Sequence, residues 1–281
     1  MQAYKIAILM ATYNGEKYLR EQIDSLFAQT CQDWHLYVHD DGSTDGTVTI
    51  LKEYEKKYPT RITLMDYPSQ GGACKNFMSM LERVDAPYYM FCDQDDVWHS
   101  EKIEESLSLM KKEELLHLRA PIVVHTDLRV INEEGKVEAQ SFWEKAGMHP
   151  NMFKKPEQRI ANIVTGCTML FNNDARKKAM EKTPQGNPMH DEWVTVRICL
   201  EGGIVAPLYK QLIDYRQHYD NTVGAEACYN RKTLKYYFTQ KKKIFNENKE
   251  NFIMLRSAGY GSLFTYLKNK IRNIIVYHLN Y

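Results

Sequence analysis

Four short apolar runs, each followed by a helix-period segment, occupy the first 100 residues, and this alternation constrains the fold more than anything else in the chain. "YKIAILMA" (residues 4–11) is apolar on both faces from Ile6 onward, as a strand buried on both faces must be. Asn14-Gly15 breaks it, and Leu19, Ile23, Leu26 and Phe27 then recur at helical spacing. "WHLYVHD" is a second strand. It is followed by a helix carrying Val48, Leu51 and Tyr58, a third strand "RITLMD", a helix with Phe77, Leu81 and Val84 on one face, and a fourth strand "PYYMFC". Strands alternating with helices across short connections predict a mostly parallel sheet covered on both faces. A helix over about 100–118, a strand "PIVVHTDLRVI", a looser stretch, a recovery at "IVTGCTMLFN" and a helix from about Asp191 complete this part.

In such a sheet ligands bind beyond the carboxyl ends of the strands. The unusual residues fall there: Thr12-Tyr13-Asn14, Asp40-Asp41 and Asp93-Gln94-Asp95-Asp96. Crowded carboxylates after an apolar strand repel one another, and a divalent cation such as Mg2+ or Mn2+ removes that repulsion. A plainer reading makes Asp96 or Ser100 the cap of the next helix. "HDDGSTDGT" is a tight turn with Thr44 or Asp45 as cap, or a turn with one carboxylate left for a nucleotide; it lacks the Glu at the twelfth position of an EF-hand.

"ILMATYNGEKYLREQIDSLFAQT", "VHDDGSTDGT" and "FCDQDDVW", in this order and spacing, resemble the N-terminal half of family 2 glycosyltransferases of GT-A fold. The resemblance implies a nucleotide site at Thr12, Tyr13, Asn14, Asp40 and Asp41. It places Asp93 and Gln94 by the nucleotide, Asp93 near the ribose, and Asp95, with Asp93 beside it, at a divalent metal (Mn2+ or Mg2+) on the diphosphate. "QGGACKNF" is similar to a family loop in which a basic residue, here Lys75, approaches the nucleotide; a helix start after a Gly-Gly turn explains it equally.

"GNPMHDEWV" resembles the segment holding the catalytic base of inverting members, which implies Asp191. His190 stands where the family usually has Glu, and its role stays open. Without the resemblance, Asp191 and Glu192 would be read as acids suited to a helix N-terminus. "DYRQHYDNTVG" looks like the element whose His completes the metal site, implying His218. Asp96, Trp143, Thr165, Gly166, Cys167 and His190 are the expected acceptor or sugar contacts; core packing is an equal account of Trp143. Within the family, "DQDDVW", "VHTDLRVI", "TGCTMLFN", "HDEW" and "YRQH" most resemble bacterial rhamnosyltransferases of cell-wall rhamnan and O-antigen assembly. The similarity covers about residues 4–224 and implies dTDP-β-L-rhamnose as donor and a lipid-linked glycan as acceptor.

The resemblance thus divides the chain into a catalytic domain, 1–224 (a nucleotide-binding half, 1–100, and an acceptor half, 101–224), and a basic helical region, 225–281. From residue 229 onward eleven Lys or Arg stand against Glu247 and Glu250, a net +9; the whole chain is +1, so the first 228 residues carry −8. Basic residues interleaved with aromatic and aliphatic ones at helical spacing suit a helix lying on anionic lipid. Packing on the catalytic domain or on a second subunit, as in a homodimer, suits them too. An acidic main domain opposes nucleic acid. No signal peptide opens the sequence and no stretch approaches the roughly 20 apolar residues of a membrane span. Six cysteines without a Cys-x-x-Cys pair read as reduced thiols. Together these features predict a cytoplasmic protein, peripheral on the inner face of the cell membrane.

Other functions remain consistent with parts of this pattern. A glucosyl- or galactosyltransferase using a UDP-sugar shares the site. A sugar-phosphate nucleotidyltransferase would need a Gly-rich basic loop after the first strand, which "ATYNGEKYL" is not. An inactive nucleotide-sugar-binding module would have no need of a base.

Overall fold

The structure is a computed structural model that describes residues 5–147, 150, 164–186, 188–219 and 241–279. Strands β1 (Ile6–Thr12), β2 (Trp34–Asp40), β3 (Ile62–Leu64) and β4 (Tyr88–Cys92) pair in parallel in the order β3-β2-β1-β4. Helices α1 (Leu19–Phe27), α2 (Thr47–Lys57) and α3 (Ala73–Arg83) connect them. The continuous apolar run of β1 feeds two cores at once. Ile6, Ile8 and Met10 point into a cluster with Leu19, Ile23 and Leu26 of α1 and Ile50, Leu51 and Tyr54 of α2. Ala7 and Leu9 point into the opposite cluster with Phe77 and Leu81 of α3. A strand covered on both sides has no polar face to show, so its sequence does not alternate.

Beyond β4 the sheet becomes mixed. It continues through β8 (Met169–Asn172), β6 (Ile122–Ile131), β9 (Ile204–Arg216) and β5 (Val97–Trp98), with β7 (Val137–Ala139) paired to β6. Helices α4 (Lys102–Leu116) and α5 (Phe142–Ala146) cover the first core; α6 (Asn173–Met180) and α7 (His190–Leu200) cover the second. A mixed sheet, parallel through its nucleotide half and covered by helices on both faces, is the expected α/β architecture.

Some elements differ from expectation. The inward face of α2 is Thr47, Ile50, Leu51 and Tyr54; Val48 is only half-buried. Tyr58 lies just past the helix end, its ring tilted against Phe27 with centroids 4.1 Å apart. Helix α4 is shorter at both ends than 100–118, and Arg119 beyond it takes a left-handed φ of 59°. The two-residue β5 is too short for any periodicity to announce, yet it docks the segment after the acids onto the end of β9, Val97 opposite Asp214 and Trp98 opposite Ile213.

In the C-terminal region, α8 (Lys241–Ala258) and α9 (Leu263–Leu279) are helical as expected. Met254, Leu255, Ala258, Tyr260 and Tyr266 are buried in the second core with α7, and the Arg197 guanidinium donates to the Ala258 carbonyl at 2.6 Å. The expected boundary at 224/225 lies outside the described residues. The cysteines among the described residues are free thiols, with Cys92, Cys167 and Cys199 buried; Cys228 lies outside them.

Candidate active site

The ends of β1 and β2 form one laced surface. Thr12 Oγ1 and Ser43 Oγ donate to Asp40 Oδ1 (2.8 and 2.6 Å), and the amides of Gly42 and Ser43 donate to Asp40 Oδ2 (3.0 and 2.8 Å). Asn14 sits in the left-handed region, φ 49°; its amide donates to Ser43 Oγ and its Oδ1 accepts from the Thr44 amide, both at 2.8 Å. Asp41 accepts from the amides of Gln70, Gly71 and Gly72 and from Ser69 Oγ. These hydrogen bonds hold its carboxyl below the usual range, despite an opposing push from burial. Both carboxylates of the "DDGS" turn therefore have tasks within the protein. The tight-turn reading accounts for Asp41 as well as Asp40, and the "QGG" loop is anchored by Asp41. Lys75 lies exposed on the first turn of α3.

Gln94 joins this surface to the acidic one. Its carboxamide accepts from the Tyr13 amide (2.9 Å) and donates to the Tyr13 carbonyl (3.0 Å). A Cβ on Gly15 would overlap that carboxamide, which explains glycine there. Tyr13 itself presents its ring to solvent.

The acids beyond β4 are crowded and half-covered. Burial, then the charges of Asp95 and Asp191, raise the Asp93 carboxyl to about 7. Asp96 is completely buried and raised well above its ordinary value, by burial first and then by Asp95 and Asp93. Its Oδ1 accepts the Arg216 amide at 3.2 Å, while Oδ2 has no hydrogen-bond partner among the described residues. Asp96 thus lies beneath the site, in the core, and a direct contact with acceptor or sugar is corrected to a supporting place. Cys167 is buried beside it, its thiol pushed up by burial and by both acids. One donor atom each of Asp93, Asp96 and Cys167 lies within 4.8 Å of the others.

The end of β9 reaches back to these acids. His218 Nε2 lies 2.8 Å from Asp95 Oδ2. Arg216 is buried and clamps the loop: its Nε donates to the Asp95 carbonyl (3.0 Å) and its Nη2 to Glu21 Oε2 (2.6 Å), with the guanidinium over the Tyr18 ring. Asp93, Asp95 and His218 supply hard oxygen and imidazole donors, the set that suits Mg2+ or Mn2+. Asp95 Oδ2 and His218 Nε2 stand side by side at 2.8 Å, the spacing of two ligands on one ion, so the residues fit such an ion. The protonated Cys167 thiol does not belong to that donor set.

Asp191 lies at the start of α7. Its Oδ2 accepts the Gly166 amide (2.9 Å) and its Oδ1 the Glu192 amide (2.6 Å). Thr165 and Gly166 lead into the 3-10 turn Gly166–Thr168, so this turn orients the carboxylate. The first-turn reading of Asp191 is met, and it is compatible with the expected role of base.

His190 is 3% exposed and packs against Phe77 (4.1 Å) and Phe91 (4.6 Å), with neither ring nitrogen partnered among the described residues. Burial lowers its pKa to about 3. A Cβ on Gly166 would come within 2.5 Å of His190 Nε2. His190 is thus a neutral core residue beneath Gly166, a correction to its expected acceptor contact. Trp143 is corrected likewise: it is 5% exposed, in the first core, edge-on to His125 (5.4 Å) and Tyr209 (5.6 Å). Residues 148–149 and 151–163, between Trp143 and Thr165, lie outside the described residues.

Sequence reasoning passed over three groups. Arg216 stands two residues before His218, in a motif read only for its histidine. Asp127, buried on β6, accepts from Ser141 Oγ, the Trp143 amide and Gln211 Nε2 and so fixes α5 to the sheet. Lys102 opens an amphipathic helix and looks like surface, yet it is completely buried, 3.5 Å over the Trp98 ring, and burial lowers it to about 7.

Residues 7–177 match the family described as Glycosyl transferase family 2. The chain is 28% identical over 273 residues, 90% of its length and 89% of the relative's, to "dTDP-rhamnosyl transferase RfbG" of Shigella flexneri. It is 32% identical over 112 residues, 40% of its length and 43% of the relative's, to the Escherichia coli "UDP-Glc:alpha-D-GlcNAc-diphosphoundecaprenol beta-1,3-glucosyltransferase WfgD". Among solved structures, S. aureus TarS 1–349 in complex with UDP-GlcNAc superposes with a TM-score of 0.59 at 17% identity, covering 95% of this chain and 73% of that one. The mannosyltransferase PcManGT from Pyrobaculum calidifontis, in complex with GDP-Man and Mn2+, gives a TM-score of 0.57 at 14% identity, covering 100% and 86%.

Proposed function

The chain belongs to glycosyl transferase family 2, and from that premise we propose that it moves L-rhamnose from dTDP-β-L-rhamnose to a lipid-linked cell-surface glycan. The observation that carries this reading is the convergence of Asp93, Asp95, His218 and Asp191, from three separate stretches of chain, at the carboxyl edge of the sheet. The rhamnosyl donor is supported by the similarity to RfbG along nearly the whole of both chains.

In this reading Thr12, Tyr13, Asn14, Asp40 and Asp41 shape the nucleotide pocket, with Gln94 holding its two walls together. Asp95 and His218, with Asp93, would hold Mn2+ or Mg2+, which when bound supplies Lewis-acid stabilisation of the departing diphosphate. An acceptor hydroxyl is too weak an acid to attack unaided, so a carboxylate must take its proton as the new bond forms. Asp191 has that role. Amides donating to both of its oxygens fix its direction. The acceptor oxygen bonds to the anomeric carbon as the bond to the diphosphate oxygen breaks on the opposite face. The displacement is single, and a β-linked donor gives an α-linked rhamnoside. A lipid-linked acceptor would keep the enzyme at the inner face of the cell membrane.

The partial match to WfgD favours a second reading, transfer of glucose or galactose from a UDP-sugar by the same site. Turnover of dTDP-rhamnose with Mn2+, in the natural protein and in Asp191→Asn, tests the first. Product from the natural protein alone is the expected result. Turnover of UDP-glucose or UDP-galactose instead refutes the donor, and nucleotide binding without turnover in either protein refutes the enzyme.

A further inference from the structure

The described side chains of α9 hold it to the protein by one face. Tyr266, Asn269 and Asn273 are buried; the Tyr266 hydroxyl donates to Asn248 Oδ1 of α8 at 3.1 Å, and Asn269 Nδ2 donates to the Tyr260 hydroxyl at 2.6 Å. On the far side Leu263 (52%), Phe264 (77%), Leu267 (49%) and Ile271 (59%) face solvent. At about 100° per residue these four fall within an arc of about 100°. Exposed Lys268 and Arg272 follow along one edge of that arc. Four large apolar side chains gathered on a helix already fixed in place are not the scattered exposure that ordinary surfaces show.

We propose that this face of α9 is a membrane-docking surface, lying in the plane of an anionic lipid bilayer with Phe264, Leu267 and Ile271 immersed and Lys268 and Arg272 at the headgroups. The charge pattern selects lipid over a second copy of the chain. From Ser262 to Leu279 there are two lysines and one arginine and no acid. A two-fold dimer through this face would set those cations against their own copies, whereas anionic headgroups neutralise them. No helix among the described residues is long and apolar enough to cross a membrane, so α9 binds along the surface, at about 25 Å for its 17 residues. The purpose of such docking rests on the lipid-linked acceptor proposed above; the docking itself does not.

Co-sedimentation of the full chain with vesicles tests this, with no donor or acceptor present, so failure here and failure of the glycosyltransferase reading are separable. Binding to phosphatidylcholine vesicles containing phosphatidylglycerol is expected, and weak binding to pure phosphatidylcholine. F264S/L267S/I271S should weaken binding tenfold or more. K268E/R272E should weaken it about thirtyfold on the anionic vesicles. Both variants should keep the donor turnover of the natural protein in solution. The single substitution Phe264→Ser, at the most exposed of the four positions, gives the same direction should the triple variant fold poorly. No binding of the natural protein to anionic vesicles overturns the proposal, as does undiminished binding of the folded variants. A dimer in sedimentation velocity that F264S/L267S/I271S dissociates also overturns it, assigning the face to a second copy.

Discussion

Asp40 and Asp41 end β2, while Asp93, Asp95 and Asp96 follow β4, two strands away along the same edge of the sheet. In the first group the carboxylates accept hydrogen bonds from their own turn or from the neighbouring "QGG" loop, and those bonds hold Asp41 below the usual range. In the second, Asp93 and Asp95 lie half-covered near Asp191 with Asp96 buried beneath them, Asp93 and Asp96 are pushed upward, and Asp96 Oδ2 has no partner among the described residues. Adjacent carboxylates in sequence thus have two physical meanings. One set is satisfied and fixes a shape. The other is only partly compensated, by His218 and the Arg216 amide, and suits the cation proposed above.

The comparison breaks first on activity. Asp191→Asn should lower kcat by about 10²–10⁴-fold, the usual loss of a general base, while dTDP binding by calorimetry stays within twofold. Asp41→Asn should not approach that loss. Next in size is the clamp beneath the acids. Arg216→Met removes the donors to the Asp95 carbonyl and Glu21 and should cost about 1–3 kcal/mol in urea unfolding. An unchanged midpoint would mean the acid loop is held by something else.

His190 gives a pH signature. Its folded pKa of about 3 lies below its ordinary 6.5, so above pH 6.5 neither state is protonated and it contributes no slope. Between 6.5 and 3 only the unfolded state takes the proton, and stability falls with falling pH by up to about 1.4 kcal/mol per pH unit. His190→Leu should flatten the fall between pH 6 and pH 4 measured by denaturant titration. Smallest is the turn itself: Asp41→Asn weakens the bonds to the amides of residues 70–72 and should cost about 1 kcal/mol. That stability is present above the ordinary pKa and lost as pH falls through the depressed one, so the variant and the natural protein should converge in acid.

Much of this was legible in the residues. Runs apolar on both faces gave buried parallel strands, and the strand ends marked the candidate site, because periodicity and turn chemistry act over a few neighbouring residues. What escaped depends on contacts between distant segments. Trp98 and Val97 become a strand only because β9 lies beside them. Lys102 is buried by Trp98 rather than by its own helix. His190 reads as a site residue until Phe77, Phe91 and Gly166 enclose it. Trp143 is an acceptor candidate until His125 and Tyr209 take both its sides.

The most direct test of the proposed cation site is calorimetric titration of Mn2+ into the protein with dTDP present, in the natural chain and in Asp95→Ala. Saturable heat in the first, absent in the second, together with lost turnover of Asp95→Ala, is the predicted result. No heat in the natural protein, with Asp95→Ala forming product at full rate, would contradict it.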